Sequence, residues 1–176
     1  MWKRITPIAV MLSWGFLLSA KDDLQQLLPG NEVWLQKKLK WEPAPREIDP
    51  KLSAAAAVVV EFRADGKFGM FSGTVYRRNS KINLSEGDSE SLYQGKWNLT
   101  EGGIHSTYQL VYHDIRLAGE NLPGPVCEMN FRWDGQKHTL TVWGSPGIKL
   151  DGEEFVVNPA LPKESAVRQI MLDHQW

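Results

Sequence analysis

Apolar and polar residues alternate along much of the chain between Val58 and Val157, and Asp-Gly pairs interrupt the alternation. A period of two residues is typical of β-strands with one buried and one solvated face. Asp-Gly supplies the positive φ angles of tight hairpin turns. The pairs are Asp65-Gly66, Asp134-Gly135 and Asp151-Gly152. The pattern therefore predicts an all-β domain built of consecutive antiparallel hairpins.

The spacing of the turns predicts about eight to ten strands joined mostly by short connections. In this range an antiparallel meander closes into a barrel, because closure removes the unpaired edges of the sheet. An open sandwich is the alternative. Near the C-terminus the period changes, and Val167, Ile170 and Met171 recur at helical spacing. We expect a short C-terminal helix on the outside of the sheet.

Four segments follow from these patterns. Residues 1–20 are predicted to be a signal peptide. Residues 21–55 form an N-terminal segment with a short helix, a first strand and a proline-rich connector. Residues 56–158 form the barrel body, and residues 159–176 form a linker and the C-terminal helix.

The signal peptide is predicted from Lys3 and Arg4, which precede an apolar run that ends before Ser19-Ala20. The run is shorter than the roughly 20 apolar residues of a membrane-spanning helix. We therefore expect an exported protein, periplasmic or secreted, with an uncleaved anchor as the alternative and the only predicted route to a membrane.

Charge and cysteine content narrow the possible partners. Removal of Lys3 and Arg4 leaves 18 basic against 21 acidic residues, a net charge of −3. This balance predicts neither nucleic acid nor an anionic membrane surface as a partner. Cys127 is the single cysteine, so no internal disulfide forms, and we expect a buried, inert thiol. A protein partner stays undetermined.

Aromatic residues on the predicted inner faces are the candidate ligand-binding residues, since rings with polar tips can line a pocket. They are Tyr93, Trp97, Tyr108, Tyr112 and Trp133. Gly95 lacks a side chain on the same face and is expected to leave room. The alternative is that the rings fill the interior. His138 shares the parity of Leu140 and Val142 and completes the predicted site. We expect it to be a hydrogen-bonded histidine in the core or at the rim, and a catalytic base is the alternative.

The run Tyr93-Gln94-Gly95-Lys96-Trp97-Asn98-Leu99 resembles the Gly-x-Trp strand of lipocalin-like, calycin-type barrels. A meander followed by a C-terminal helix is similar to the same group. The resemblance implies a cup that binds a small apolar or amphipathic molecule, lined by the aromatic residues named above.

Three functions remain open from the sequence. We expect a non-enzymatic exported protein that binds a small hydrophobic or amphipathic ligand. The second is an envelope or secreted interaction protein with a filled core, which would use outward apolar residues such as Trp143. The third is a barrel enzyme that pairs His138 with a carboxylate.

No cofactor or metal site is predicted. Glu86, Asp88 and Glu90 lack the complete pattern of a calcium loop. Asn83 and Asn98 match the N-glycosylation acceptor pattern, whose use depends on the source of the protein.

Overall fold

The computed structural model describes residues 33–45, 51–84, 90–113, 124–146, 148–157 and 161, without the side chains of Tyr112 and His113. The predicted signal peptide and the predicted helices near both ends lie outside these residues. Within them the chain forms ten β-strands. The strands are β1 (Val33–Gln36), β2 (Glu42–Pro43), β3 (Ser53–Phe62), β4 (Lys67–Arg78), β5 (Lys81–Leu84), β6 (Ser91–Thr100), β7 (Gly103–His113), β8 (Cys127–Asp134), β9 (Thr139–Trp143) and β10 (Glu154–Val157).

Eight of these strands close into an antiparallel barrel in the order β1, β3, β4, β6, β7, β8, β9, β10. Strand β1 completes the ring, because Trp34 lies opposite Val60 of β3 on one side and Val157 of β10 on the other. Barrel strands that follow one another in the chain are neighbours in the sheet. The predicted all-β meander and its closure are therefore confirmed, and the open sandwich is not formed.

The β3–β4 hairpin is longer than the barrel wall around it. Pairing runs from Phe62 opposite Phe68 beside the turn to Ser53 opposite Arg77 at the far end. The barrel neighbours β1 and β6 pair only with the half nearest the turn. The short strands β2 and β5 flank the far half. This far half with β2 and β5 is named the rim sheet, and the barrel end from which it continues is named the mouth.

Large side chains fill the inside of the barrel. The inward residues of the alternating pattern are buried almost completely, and they pack as rings set edge to face or tilted. The ring centres of Phe62 and Phe131 lie 5.2 Å apart, and those of Phe131 and Phe155 lie 6.2 Å apart. These separations are in the favourable range for aromatic pairs. The largest buried inner residues are Trp34, Phe62, Phe68, Met70, Tyr108, Phe131, Trp133 and Phe155.

A second buried cluster covers the outside of β1, β3 and β4. Val33, Val59 and Phe71 point away from the barrel interior, yet none is more than 7% exposed. Leu161, which follows β10, belongs to the same cluster. The expectation of one solvated face is therefore wrong for this part of the sheet. The uninterrupted valines at 58–60 are the sequence signal, because strands buried on both faces lose the alternation.

The turns follow the predicted chemistry at two of the three Asp-Gly pairs, where Gly66 and Gly152 have φ angles of 79° and 86°. The turn after Asp134 is longer, and its positive φ of 50° belongs to His138. The Asp134 carboxylate accepts hydrogen bonds from the backbone N–H groups of Lys137 and Gln136 at 3.1 Å. These bonds lower the pKa of Asp134, and the bond from Lys137 has the larger effect of the two.

Candidate functional site

Two of the predicted lining residues pack at the end of the barrel opposite the mouth. Trp97 donates its indole N–H to the Arg63 carbonyl in the β3–β4 turn at 2.9 Å, and its ring lies 5.9 Å from that of Phe62. Trp133 packs edge to face on Trp34, with ring centres 5.9 Å apart. Both indoles therefore belong to the packing that fills this end.

Tyr93 and Tyr108 lie together on the inner face, with ring centres 5.7 Å apart. Tyr108 is 2% exposed, and its hydroxyl has no hydrogen-bond partner among the residues that the structure describes. Burial, with smaller contributions from Cys127 and Tyr93, raises the pKa of Tyr108 to about 12. Burial also raises the pKa of Tyr93. The pair therefore places a buried and a half-buried phenol side by side, and burial favours the neutral form of both.

The inward prediction for Tyr112 lies outside the described side chains, although the backbone there is described. Tyr93 pairs with Leu110, whereas the preceding residue, Leu92, pairs with Tyr112. The intervening Val111 is buried in the cluster outside the barrel. A one-residue irregularity of this kind resets the parity of the residues that follow it. Simple alternation therefore does not extend through the end of β7.

His138 does not lie inside the barrel, so its inward prediction is wrong. It stands in the β8–β9 turn before Thr139 opens β9, and it is exposed. Its ring packs edge to face against Trp133 at 5.9 Å. The alternating pattern of β9 does not include His138, because this residue belongs to the turn and has a positive φ.

Gly95 leaves no void, contrary to expectation. A Cβ built on it would collide with the backbone carbonyl of Thr107 on the neighbouring strand β7. A Cβ on Gly103 would collide in the same way with the Phe131 carbonyl of β8. Glycine at such points allows two backbones to approach where a sheet bends. Backbone atoms of β7 therefore occupy the space that a side chain at Gly95 would need.

The described residues form a pocket of about 510 Å³ on the rim sheet. Its wall combines the alanines that open β3, two residues of β4, and the segment that contains the edge strand β2. The lining residues are Lys40, Glu42, Pro43, Pro45, Ala54, Ala55, Ala56, Thr74 and Tyr76. The volume is within the usual range of about 300–1,000 Å³ for small-molecule sites.

The pocket continues the inner face of the barrel beyond its packed interior. Ala54 and Ala56 have the same parity on β3 as the buried Val58, and they lie opposite Tyr76 and Thr74 on β4. Residues two apart on a strand share one face of the sheet. The small side chains of this stretch leave space at the mouth, where the large rings of the interior end.

The polar groups of the pocket lie on its walls. Glu42 of β2 is opposite Ala54, which is opposite Tyr76, which is in turn opposite Asn83 of β5. Lys40 forms an ion pair with Glu42 at 2.7 Å. Their hydrogen bond raises the pKa of Lys40 and lowers that of Glu42. Both side chains are largely exposed, so the pair contributes little to stability. Both charges are accessible at the edge of the pocket.

This pocket does not follow from the aromatic pattern of the sequence, because the pocket forms where large rings are absent. The run Ser53-Ala54-Ala55-Ala56-Ala57 opens β3. Alanines have low strand propensity, and a strand that begins with four of them has little volume on either face. That run is the signal that the sequence contained.

Among the residues that the structure describes, no group of three or more His, Cys, Asp or Glu side chains is placed to hold a metal ion. Over the same residues, no helix has the length and apolar character needed to cross a membrane.

Comparison with known proteins finds no matching family model, no matching curated protein and no matching solved structure. The architecture is thus established by the strand pairing alone. It is an eight-stranded antiparallel barrel, consistent with a lipocalin-like barrel.

Proposed function

We propose that this protein is a lipocalin-like binding protein that holds a small amphipathic molecule at the mouth of the barrel. The observation that carries the proposal is the pocket of about 510 Å³ on the rim sheet. Pockets of this size bind small molecules when most of the wall is apolar and a few polar groups fix the orientation of the ligand.

The chemistry of the wall supports an amphipathic ligand. Ala54, Ala56 and Pro43 offer an apolar surface without polar side-chain atoms. The phenol of Tyr76, the hydroxyl of Thr74 and the Lys40–Glu42 pair supply donors and acceptors around it. An apolar body would lie on the alanines, and a polar head group would reach the side chains at the edge.

The packed interior supports a ligand site at the mouth over a deep one. A ligand among the inner rings would have to displace side chains such as Phe131 and Met70, which are 1% and 0% exposed. Opening a close-packed core costs several kcal/mol, on the order of 3–5 for one large side chain. The proposed site therefore excludes Trp97 and Trp133 and replaces them with Ala56 and Tyr76.

The test uses a dansyl-labelled long-chain fatty acid as the fluorescent probe, titrated into the purified protein. Ala56→Trp places a large ring in the pocket and should weaken probe binding about tenfold or more. The matched control is Ala64→Trp, because Ala64 is exposed in the β3–β4 turn at the opposite end of the barrel. Its affinity should equal that of the wild-type protein.

Two results would contradict the mouth site. One is an absence of saturable probe binding by the folded wild-type protein at micromolar concentrations. The other is equal weakening by Ala56→Trp and Ala64→Trp, which would mean that the substitution acts through stability. Thermal melting of both variants shows whether the substitutions have lowered the stability of the fold.

Export is part of the same proposal and rests on residues 1–20. A small exported barrel with a pocket at its mouth is suited to carrying a sparingly soluble molecule. N-terminal sequencing of the protein recovered outside the cytoplasm should begin at Lys21, and recovery of the intact chain in the membrane fraction would instead support the uncleaved anchor.

A further inference from the structure

The outer wall of the barrel carries a large exposed ring on strand β9. The side chain of Trp143 is 52% exposed, although its neighbour Val142 is 1% exposed in the inner core. A single exposed apolar side chain is common on protein surfaces, so this ring is a candidate contact site only together with the polar groups arranged beside it. Trp143 lies at the end of β9, at the start of the loop that leads to β10.

Strand register places Trp143 at the end of a polar row. Asn98 lies opposite His105, His105 lies opposite Asn130, and Asn130 lies opposite Trp143. Directly paired residues share a face, so the four residues form one line across β6, β7, β8 and β9. Strands in a sheet are about 4.8 Å apart, and the line is therefore about 14 Å long.

The centre of the row is held by a side-chain hydrogen bond. Nδ1 of His105 and Oδ1 of Asn130 lie 2.9 Å apart. With the amide oxygen as acceptor, the ring donates from Nδ1, and Nε2 and the Asn130 NH₂ group are the remaining acceptor and donor. The next residue after Trp143 is Gly144, where a Cβ would come within 3.3 Å of that NH₂ group.

The loop behind Trp143 is fixed by one carboxylate. Asp151 accepts hydrogen bonds from both the backbone N–H and the hydroxyl of Ser145, each at 2.9 Å. The Ser145 hydroxyl also contacts the Ile148 carbonyl at 2.8 Å. A ring on a strand whose following loop is held in this way loses less conformational entropy on binding than one on a free loop.

Charge around the row is mixed. Arg132 lies on the same outer face of β8, and its guanidinium is 5.9 Å from the centre of the Trp143 ring. Glu128 has the same outward parity on β8 and is exposed. A face with donors, acceptors and both charges beside a flat ring matches an uncharged, polyhydroxylated ligand better than an anionic polymer.

We propose that this outer face, from Asn98 to Trp143, binds a saccharide chain. The flat apolar face of a pyranose stacks on the Trp143 indole, and its hydroxyl groups exchange hydrogen bonds with Asn130 and His105. The length of the row accommodates more than one sugar ring. The site lies on the outer face of the wall and is independent of the proposed pocket at the mouth.

The test is an NMR titration of the intact folded protein, with the indole N–H signal of Trp143 assigned by substitution. The probes are chitohexaose, cellohexaose and maltohexaose, which present three linkage geometries. At least one should shift that signal saturably. Trp143→Ala should weaken its binding about tenfold or more, and Asn130→Ala should weaken it several-fold.

The matched control is Val126→Ala, because Val126 is an exposed apolar residue outside the row, at 68% exposure. It should leave saccharide binding unchanged, as should Ala56→Trp in the mouth. The proposal is overturned if none of the three probes shifts the Trp143 signal at millimolar concentration, or if Trp143→Ala binds as the wild type does. Concentration-dependent broadening of that signal without sugar would overturn it in favour of a second copy of the chain.

Discussion

At Tyr108 a phenol hydroxyl is buried inside the barrel without a hydrogen-bond partner among the described residues. A buried polar group in this state costs free energy, because the hydroxyl has lost its water and gained no substitute. The cost is smallest when the phenol is neutral, and this is why burial raises its pKa to about 12. Residues of this kind link stability to pH.

Tyr108→Phe should flatten the alkaline part of the stability profile. The folded-state pKa is raised above the ordinary value of 10, so the unfolded chain releases the Tyr108 proton first as the pH rises. The linked stability is therefore present below pH 10 and is lost as the pH rises through about 12, a loss on the order of 1–2 kcal/mol. Urea denaturation of wild type and variant between pH 8 and 12 measures the difference.

The matched control is Tyr76→Phe in the rim pocket, which should retain the alkaline loss. At neutral pH Tyr108→Phe should change the free energy of unfolding by no more than about 1 kcal/mol, because the hydroxyl it removes is unsatisfied. A parallel alkaline decline in Tyr108→Phe and wild type would contradict the assignment.

At the scale of single elements, the approach of β6 to β7 depends on one position. The carbonyl of Thr107 occupies the space in which a side chain at 95 would begin. Close contact of two backbones is set by the curvature of the barrel wall and has no counterpart in the hydrophobic pattern. The Gly-x-Trp sequence thus combines a close approach of two backbones at Gly95 with an indole that hydrogen-bonds β6 to the β3–β4 turn.

Gly95→Ala should destabilise the barrel by about 3 kcal/mol, since the backbones of β6 and β7 have to move apart to make room for the Cβ. Gly102→Ala is the control within the same hairpin, because a Cβ there has no atom within 4 Å. An exposed substitution of this kind should change the free energy of unfolding by about 0.5 kcal/mol or less. Chemical denaturation of the two variants compares them, and equal effects would mean that the strands do not approach closely at Gly95.

At the scale of the whole molecule, stability depends on the ring of strands being closed. The four residues of β1 join β3 to β10, and Trp34 of β1 is fully buried between them. Its ring packs on Trp133 from the opposite wall. A short strand with a large residue at its centre thus connects the beginning and the end of the described sheet.

Trp34→Ala should cost about 3–5 kcal/mol, which is a large part of the stability of a domain of this size. Trp143→Ala removes the same ring from the outer face, where it is 52% exposed, and should cost about 0.5 kcal/mol or less. Trp34→Phe keeps part of the ring if the alanine variant fails to fold. Thermal melting that ranks Trp143→Ala as the more damaging change would contradict the role of β1 in closure.

The sequence by itself determined most of the strands, most of their turns and most of the residues that face the interior. These are local properties, since alternation and Asp-Gly chemistry act within a few residues. Val58, Val60 and Met129 follow the alternation and lie in the inner core. Whether the interior is filled or hollow does not follow from the sequence, because the volume inside a barrel depends on how side chains from opposite walls meet.

Only the tertiary structure decided where open space remains. Parity placed His138 inward, but the turn that closes the β8–β9 hairpin extends to that residue and exposes it. Gly95 was expected to leave room, and a neighbouring strand fills it. The pocket formed instead where β3 and β4 run past the barrel and carry small residues. The open volume at a site depends on side chains from segments that are far apart in the sequence, so no local pattern in the chain predicts it.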